Sequence, residues 1–591
     1  MLKNDPLTSV LYINLTTKQY RVEMRPDLFE AGIGGTGVAT SLLAQSCPEG
    51  CDPLGPDNPI VLAVGPMTGL FPLASKTVAM FKSPHTGNLG ESHCGGRSAV
   101  AIRMAGYGAI VIEGRSQIPV YLAIHGSEVH FRDASTLWGM TSSLTVGRVI
   151  REREPGTGLR TIMRIGAAGE KMVTYACVAA ETYRHFGRLG LGAVFGSKNL
   201  KAIVVSGRRS LPVADDRKYR QLYKTIHKEA TASPAMKKYH DLGTPQNVLP
   251  LNRIGAFPTR NLQAARFDQA ENISGEAFAE KYLGRRLACS HCPVACIHIA
   301  ALREPHEEEP YFYKTSMISY DYEPIYAMGS MLGVGDPEGL LRLLDRAEVL
   351  GLDLMTTGPV LSWATEAMEK GLISAADTDG LDLKWGDWRT YLEATARIVE
   401  QPNDLYRALA RGVEHASSIY GGEEFALALG GNEMPGYHTG PAAHAGCLAG
   451  ARHSHLDNAG YSVDQKVLVE KALTPQELAE VLVQEESWRQ VLSSLVICFF
   501  AREIFDADTV VSCLEMAGYH MDAARLREVG REIHREKYRF KVREGFSLDG
   551  LRIPGRLLET GSPVPSFNEE YLRATLKYVG RILDVNPPPG Q

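Results

Sequence analysis

At 591 residues, with 44% hydrophobic and 22% charged side chains, the chain is long enough for several lobes around a shared site and has the composition of an ordinary globular protein. A net charge of −5 excludes a global basic field for nucleic acid, and ten scattered cysteines exclude a disulfide framework and point to a reducing compartment. The first residues, MLKNDPLTSVLYINL, lack a basic region followed by a long apolar core, and no stretch approaches membrane-spanning length, so a cytoplasmic protein without membrane or nucleic-acid partners is expected.

Residues up to about 208 carry short β-branched runs punctuated by glycine: 10–13 (VLYI), 60–64 (IVLAV), 77–81 (TVAMF), 109–112 (AIVI) and 202–205 (AIVV). Each predicts a strand, and 119–126 followed by 128–131 predicts a hairpin turning at Gly126 and Ser127. The glycines at 32, 34, 35 and 37, ahead of an apolar helical run, offer either a tight turn or a phosphate cradle at a helix N-terminus. A second glycine series, 184–201, carries Arg184, Arg188, Lys198 and Lys201. It reads either as a backbone that approaches and neutralises a phosphorylated cofactor or as a turn with a solvated basic rim.

After Pro212 a helical period takes over. Cys289, Cys292 and Cys296 follow C-x2-C-x3-C spacing, with Pro293 beside the second cysteine. Thiolates held so close repel one another, and a soft cation relieves the repulsion. The choice lies between a [4Fe-4S] cluster with a distant fourth ligand and a Cys3His zinc knuckle using His291 or His298. Spacing leaves Cys447, Cys498 and Cys513 all open as the fourth cysteine. Glu323 stands among tyrosines whose rings would desolvate it and raise its pKa toward that of a general acid or base. Asp336 and Pro337 open a helix that stops at Gly351, with Glu348 and Asp353 flanking its end. The glycine-rich stretch 428–460 holds His438, His444, His453 and His455 and is expected to be irregular backbone lining a site. His455 is suited to donate to an oxyanion. A capping box from Thr474 to Glu477 opens a helix running toward Cys498, and the proline-rich end 583–591 is expected to fray.

These stretches, together with 65–69 (GPMTG), 82–84 (KSP) and 105–107 (AGY), occur in an order that resembles the aldehyde:ferredoxin oxidoreductase family of tungsten or molybdenum bis-pterin enzymes over nearly the whole chain. The resemblance implies an α+β fold: a β-rich saddle for two pterins over 1–208, then mainly helical regions over 209–417 and 418–591. It implies that Cys289, Cys292, Cys296 and Cys498 ligate one [4Fe-4S] cluster. Lys76, Arg184 and Gly187 fall at pterin contacts, and His93 and His185 fall where backbone carbonyls hold a magnesium ion bridging the pterin phosphates. Glu348, Gly351, Leu352 and Asp353 match one pterin motif, and Ile497 lies in the second. Glu323 and His455 match the family's acid/base and hydrogen-bonding histidine.

The expected reaction is oxidation of a small aldehyde to its carboxylic acid, with electrons leaving through the cluster to ferredoxin or a small iron-sulfur subunit. Within the family the alternative is a low-potential reductase acting on an aromatic or other acyl-CoA; outside it, a zinc-binding scaffold protein. The chain departs from the family pattern in two places. The second D-x-x-G-L-[CD] motif reads Ser493-Ser-Leu-Val-Ile-Cys498, without its aspartate and glycine. The E-x-x-H that bridges subunits through iron in some members reads Arg342-Leu-Leu-Asp345, so any oligomer is expected to lack that iron.

Overall fold

The computed structural model describes residues 2, 5–154, 156, 158–306, 311–564 and 567–585; residues 586–591 of the end expected to fray lie outside them. Two six-stranded sheets occupy the first third of the chain. The first comprises β1 (Ser9–Asn14), β2 (Gln19–Met24), β3 (Ile60–Ala63), β4 (Thr77–Lys82), β5 (Leu89–Cys94) and β6 (Ala109–Glu113), in the order β2-β1-β6-β3-β4-β5. The second comprises β7 (Val120–His125), β8 (Glu128–Asp133), β9 (Leu159–Arg164), β10 (Val178–Ala180), β11 (Arg184–Phe186) and β12 (Leu200–Gly207), in the order β11-β10-β9-β12-β7-β8. Among the described residues only β1 with β6 and β7 with β12 run parallel.

Every residue of β3, β4 and β12 is buried, which is why these strands read as nearly unbroken apolar runs. β2 is the opposite case, an exposed edge strand (QYRVEM) whose charges protect its free edge and hide it from a search for apolar runs. The hairpin of β7 and β8 turns through Gly126 at φ 61°. β5 and β11, the end strands of the two sheets, pack against each other. The glycines at 32–37 form a close-packed turn: Gly35, at φ 31°, leaves no room for a β-carbon against the carbonyls of Ser493 and Ser494.

The middle region is mainly helical but contains an antiparallel sheet that its sequence texture did not announce, of β13 (Leu283–Leu287), β14 (Ile297–Pro305) and β15 (Tyr313–Tyr320). The three-cysteine loop joins β13 to β14, and β15 runs into the helix Tyr322–Met328 that carries Glu323. The helix Pro337–Leu350 is capped by Asp336 and ends at Gly351, φ 81°; the helix Pro475–Ser494 opens on the Thr474–Glu477 capping box.

The histidine-rich stretch is less irregular than its glycines implied. It contains the helix Pro441–Ala449, whose free N-terminus is satisfied from a distance: Asp464 accepts from Ala442 and Ala443 N–H (2.9 Å each) and from the Thr439 hydroxyl (2.7 Å). Asp464→Ala strands those buried donors, and its expected cost is about 2–3 kcal/mol, read as a lower unfolding temperature in calorimetry.

Candidate active site

Glu323 lies in the first turn of its helix, which the side chain of Asp321 caps (3.0 Å to Tyr322 N). The Tyr322 hydroxyl donates to the Gly436 carbonyl and that of Tyr326 to the Met434 carbonyl, tying this helix to the histidine-rich stretch. Gly436 N–H in turn donates to Glu323 Oε2 (3.0 Å). The other oxygen, Oε1, accepts no hydrogen bond and lies 3.5 Å from His455 Nε2. His455 opens a short helix held by Ser454 and Asp457, and its buried Nδ1 has no partner. Both side chains face a cavity of about 380 Å³.

Burial pushes the Glu323 carboxyl up to about 8, against the pull of Gly436 N–H and Arg188. Burial, followed by the cations Arg188, Arg452 and Arg489, lowers His455 to about 3. At neutral pH the glutamate therefore holds a proton and the imidazole is neutral, an acid/base group beside a hydrogen-bonding ring. Two stacked aromatic pairs wall the same cavity, Tyr437 on Tyr461 (centroids 4.3 Å apart, 19°) and Tyr239 on Phe500 (4.2 Å, 12°).

Arg188, Arg452, Arg489 and Arg502 also line the cavity. Arg184 Nε and one terminal nitrogen of Arg188 are buried without partners. Lys76 is half-buried near Cys498 and Cys289, its ammonium 4.7 Å from the Phe499 ring centroid. A β-carbon on Gly187 would meet open space, so the backbone there faces the cavity. His93 and His185 line it from the facing strands β5 and β11; burial and nearby cations lower them to about 4 and about 3. The other two cations of the glycine series serve the fold: Lys198 binds the carbonyls of Pro56 and Gly114, and Lys201 pairs with Glu170. The nitrogens that Arg184 and Arg188 leave without a protein partner fit a phosphorylated cofactor.

Glu348, Leu352 and Asp353 also line the cavity. Glu348 Oε1 is unpartnered, and burial first, then Asp345, pushes the carboxyl up to about 8. Asp353 accepts from Thr356 (2.6 Å) and Arg188 (3.2 Å). Gly351 lies behind the wall, its carbonyl accepting from Cys177 N (2.9 Å), which docks the motif on the first region. The second motif keeps the backbone form of the first despite its changed residues: Val496 holds the left-handed position, φ 57°, that Gly351 holds. Strain of about 1–2 kcal/mol is offset by complete burial of the valine, worth about 2 kcal/mol. Ile497 is buried in the core rather than at the cavity.

The four cysteines meet through the backbone of Leu73, whose N–H donates to the His291 carbonyl (3.2 Å) and whose carbonyl accepts from Cys498 N (2.8 Å). Burial, then the neighbouring thiols of the set, pushes Cys292 up to about 12; Cys296 is raised as well, with Arg184 opposing. Cys289 and Cys296 in turn hold Arg184 above its usual range against the pull of burial. His298 is turned away from them, with Nε2 on the His240 carbonyl (2.9 Å) and Nδ1 against Gly243. Among the described residues no three His, Cys, Asp or Glu side chains converge on a single-ion site.

Sequence reasoning did not single out Arg188, Arg452, Tyr437 or the Tyr239–Phe500 pair, all at the cavity. Arg188 stood within the basic glycine series, but nothing in its spacing separates it from Lys198. Of the remaining histidines, His438 pairs with His444 (3.0 Å) and His453 with Lys541 (2.8 Å), so these three are held by the protein itself.

Sequence models described as the N-terminal domain and as domains 2 and 3 of aldehyde ferredoxin oxidoreductase match residues 10–207 and 221–578. The tungsten-containing aldehyde ferredoxin oxidoreductase of Thermococcus kodakarensis is 31% identical over 94% of this chain and 91% of its own. That of Pyrococcus furiosus is 30% identical over 93% and 91%. The aliphatic sulfonate oxidoreductase WOR-like subunit of Pyrococcus furiosus is 32% identical over 69% and 66%. Among solved structures, the active-site complex BamBC of benzoyl coenzyme A reductase with 1,5-dienoyl-CoA shares the fold at a TM-score of 0.81 and 20% identity, over 98% of this chain and 94% of that one. Matches across nearly its whole length place the chain in the aldehyde ferredoxin oxidoreductase family.

Proposed function

We propose that the protein is a tungsten-pterin oxidoreductase that converts aldehydes to carboxylic acids and passes electrons through one [4Fe-4S] cluster to ferredoxin or a small iron-sulfur partner. The observation that carries this reading is Glu323 facing His455, each with an unpartnered atom, in a cavity also lined by Arg188, which keeps one terminal nitrogen without a partner. Family membership implies the tungsten-pterin group. Arg184, Arg188 and Lys76 are the cations we assign to its phosphates, and Glu348 and Asp353 to ring contacts on one side. On the other side, where the motif has lost its aspartate, we assign Glu91: Lys537 bridges it to Gln490, one turn from Ser493. The backbone at His93 and His185, on facing strands, is the assigned place for magnesium. Cys289, Cys292, Cys296 and Cys498 are the assigned cluster ligands.

When bound, the tungsten-pterin group and the cluster supply a two-electron acceptor and a one-electron exit. Oxidation of an aldehyde takes oxygen from water and releases two electrons and two protons. Glu323 in its ionised form receives one of these protons at Oε1, and neutral His455 orients the substrate oxygen. The aromatic walls exclude water and leave a slot suited to a flat substrate.

The test is reduction of a viologen dye by matched six-carbon-ring aldehydes. Benzaldehyde is expected to exceed cyclohexanecarbaldehyde in kcat/KM by about tenfold, the worth of one aromatic contact. Tyr461→Leu is expected to bring the ratio toward one. Turnover without that preference rejects the flat slot alone. No aldehyde turnover, with oxidation of a reduced dye by an acyl-CoA instead, replaces the aldehyde reading.

A further inference from the structure

Away from the cavity, Cys47 and Cys51 bring their sulfurs to 3.4 Å, van der Waals contact, across the turn that follows the helix Gly35–Ser46. Cys47 is buried and Cys51 half-buried. The turn is held from three directions. Arg543 donates to the carbonyl of Cys47 (3.0 Å), Lys82 at the end of β4 to that of Cys51 (2.7 Å), and Gly50 N–H to Glu544 (3.1 Å), itself paired with Lys82 (2.6 Å). These bonds fix the backbone on both sides of the two thiols. The tip between them, Glu49 and Gly50, is exposed, and Gly50 (φ 68°) has open space around it. The anchors thus keep the sulfurs adjacent, and the uncrowded, exposed tip leaves room for the remaining ångström or so that bond formation requires.

We propose that Cys47 and Cys51 form a dithiol–disulfide site, oxidised by hydrogen peroxide to an intramolecular disulfide. The half-buried Cys51 thiolate attacks the peroxide oxygen, giving Cys51 sulfenic acid and releasing hydroxide, or water once protonated. The Cys47 thiol then attacks that sulfur, the S–O bond breaks, and a second molecule of water leaves. Two thiols and one peroxide become one disulfide and two waters, and a thiol reductant reverses the change. Burial, followed by the neighbouring Cys51 thiol, pushes Cys47 up to about 12, which disfavours it as the sulfur that attacks the peroxide first. The pair lies where the first sheet meets the helix Ala523–Arg543, and the inference is independent of the reaction at the cavity.

The sequence allows a clean readout. The tryptic peptide 22–76, bounded by Arg21 and Lys76 with the Arg25–Pro26 bond resistant, contains Cys47 and Cys51 and no other cysteine. Cluster damage by peroxide therefore does not enter the measurement. Anaerobically purified protein is exposed to hydrogen peroxide, quenched in acid, unfolded and alkylated. Before peroxide the peptide is expected to take two alkyl groups; afterwards it takes none, weighs two hydrogens less, and regains both groups after dithiothreitol. A peptide that still takes two groups, or that gains two oxygens on one sulfur while the other is alkylated, overturns the proposal. Cys47→Ser is expected to drive Cys51 on to sulfinic acid, and Cys51→Ser to slow oxidation of Cys47 at least tenfold. Equal oxidation rates in the two variants reject the assigned order.

Discussion

Glu323→Gln is expected to lower kcat for aldehyde oxidation by about 10²–10⁴-fold while tungsten, iron and pterin contents stay at wild-type levels. The glutamine has the same shape, and its carbonyl oxygen still accepts from Gly436 N–H, so the helix and its tie to residues 434–436 persist. What disappears is the titrating oxygen that faces His455. The pH dependence follows from the same geometry. Glu323 is raised to about 8, so below that pH it is mostly protonated and unable to take a proton; turnover is expected to rise with pH through about 8 and then level. His455, lowered to about 3, stays neutral across that range and adds no second limb. The glutamine variant is expected to show a flat profile, measured as kcat/KM for dye reduction. A variant with wild-type activity, or one that keeps the rise near 8, removes Glu323 from the acid/base role.

The fold was most legible where burial is two-sided. β3, β4 and β12 announce themselves because both faces are covered, and the capped helices Pro337–Leu350 and Pro475–Ser494 because their ends obey local hydrogen-bonding rules. The sheet of β13–β15 escaped notice because its pattern is local to a loop-bearing region and β13 carries the exposed pair Arg285 and Arg286. The candidate site was legible in part. The cysteine spacing announced a metal while leaving iron-sulfur and zinc, and the fourth ligand, open, and Glu323 among tyrosines states its desolvation. Arg188 and the stacked pair of Tyr239 and Phe500 carry no such signature. Their partners are 165 and 261 residues away in the chain, and only the tertiary fold brings them to one wall. Val496 shows the limit in reverse: its identity argued against the pterin motif, yet the backbone keeps the left-handed turn that the glycine of the first motif adopts.

Cys498→Ala is expected to convert the four-iron cluster to a three-iron form or to lose it, with a fall in iron content and the EPR signature of a three-iron cluster in the oxidised protein. Cys498 follows the left-handed turn at Val496, and its N–H is fixed on the Leu73 carbonyl, which an alanine retains. The backbone at the site is therefore unchanged, and the effect reads the sulfur itself. Electron delivery to an external acceptor is expected to drop by more than tenfold, while tungsten content and the Glu323–His455 pair are unaffected. The two other cysteines that spacing left open supply the controls. Cys447 is buried in the helix Pro441–Ala449, its carbonyl accepting from His453, and Cys513 is buried in the helix Ala507–Met516. Neither is placed by Leu73 beside the C-x2-C-x3-C loop, so alanine at either position is expected to leave a four-iron cluster. Full retention of four irons in Cys498→Ala, with loss in Cys447→Ala or Cys513→Ala, would falsify the assignment of Cys498 as fourth ligand.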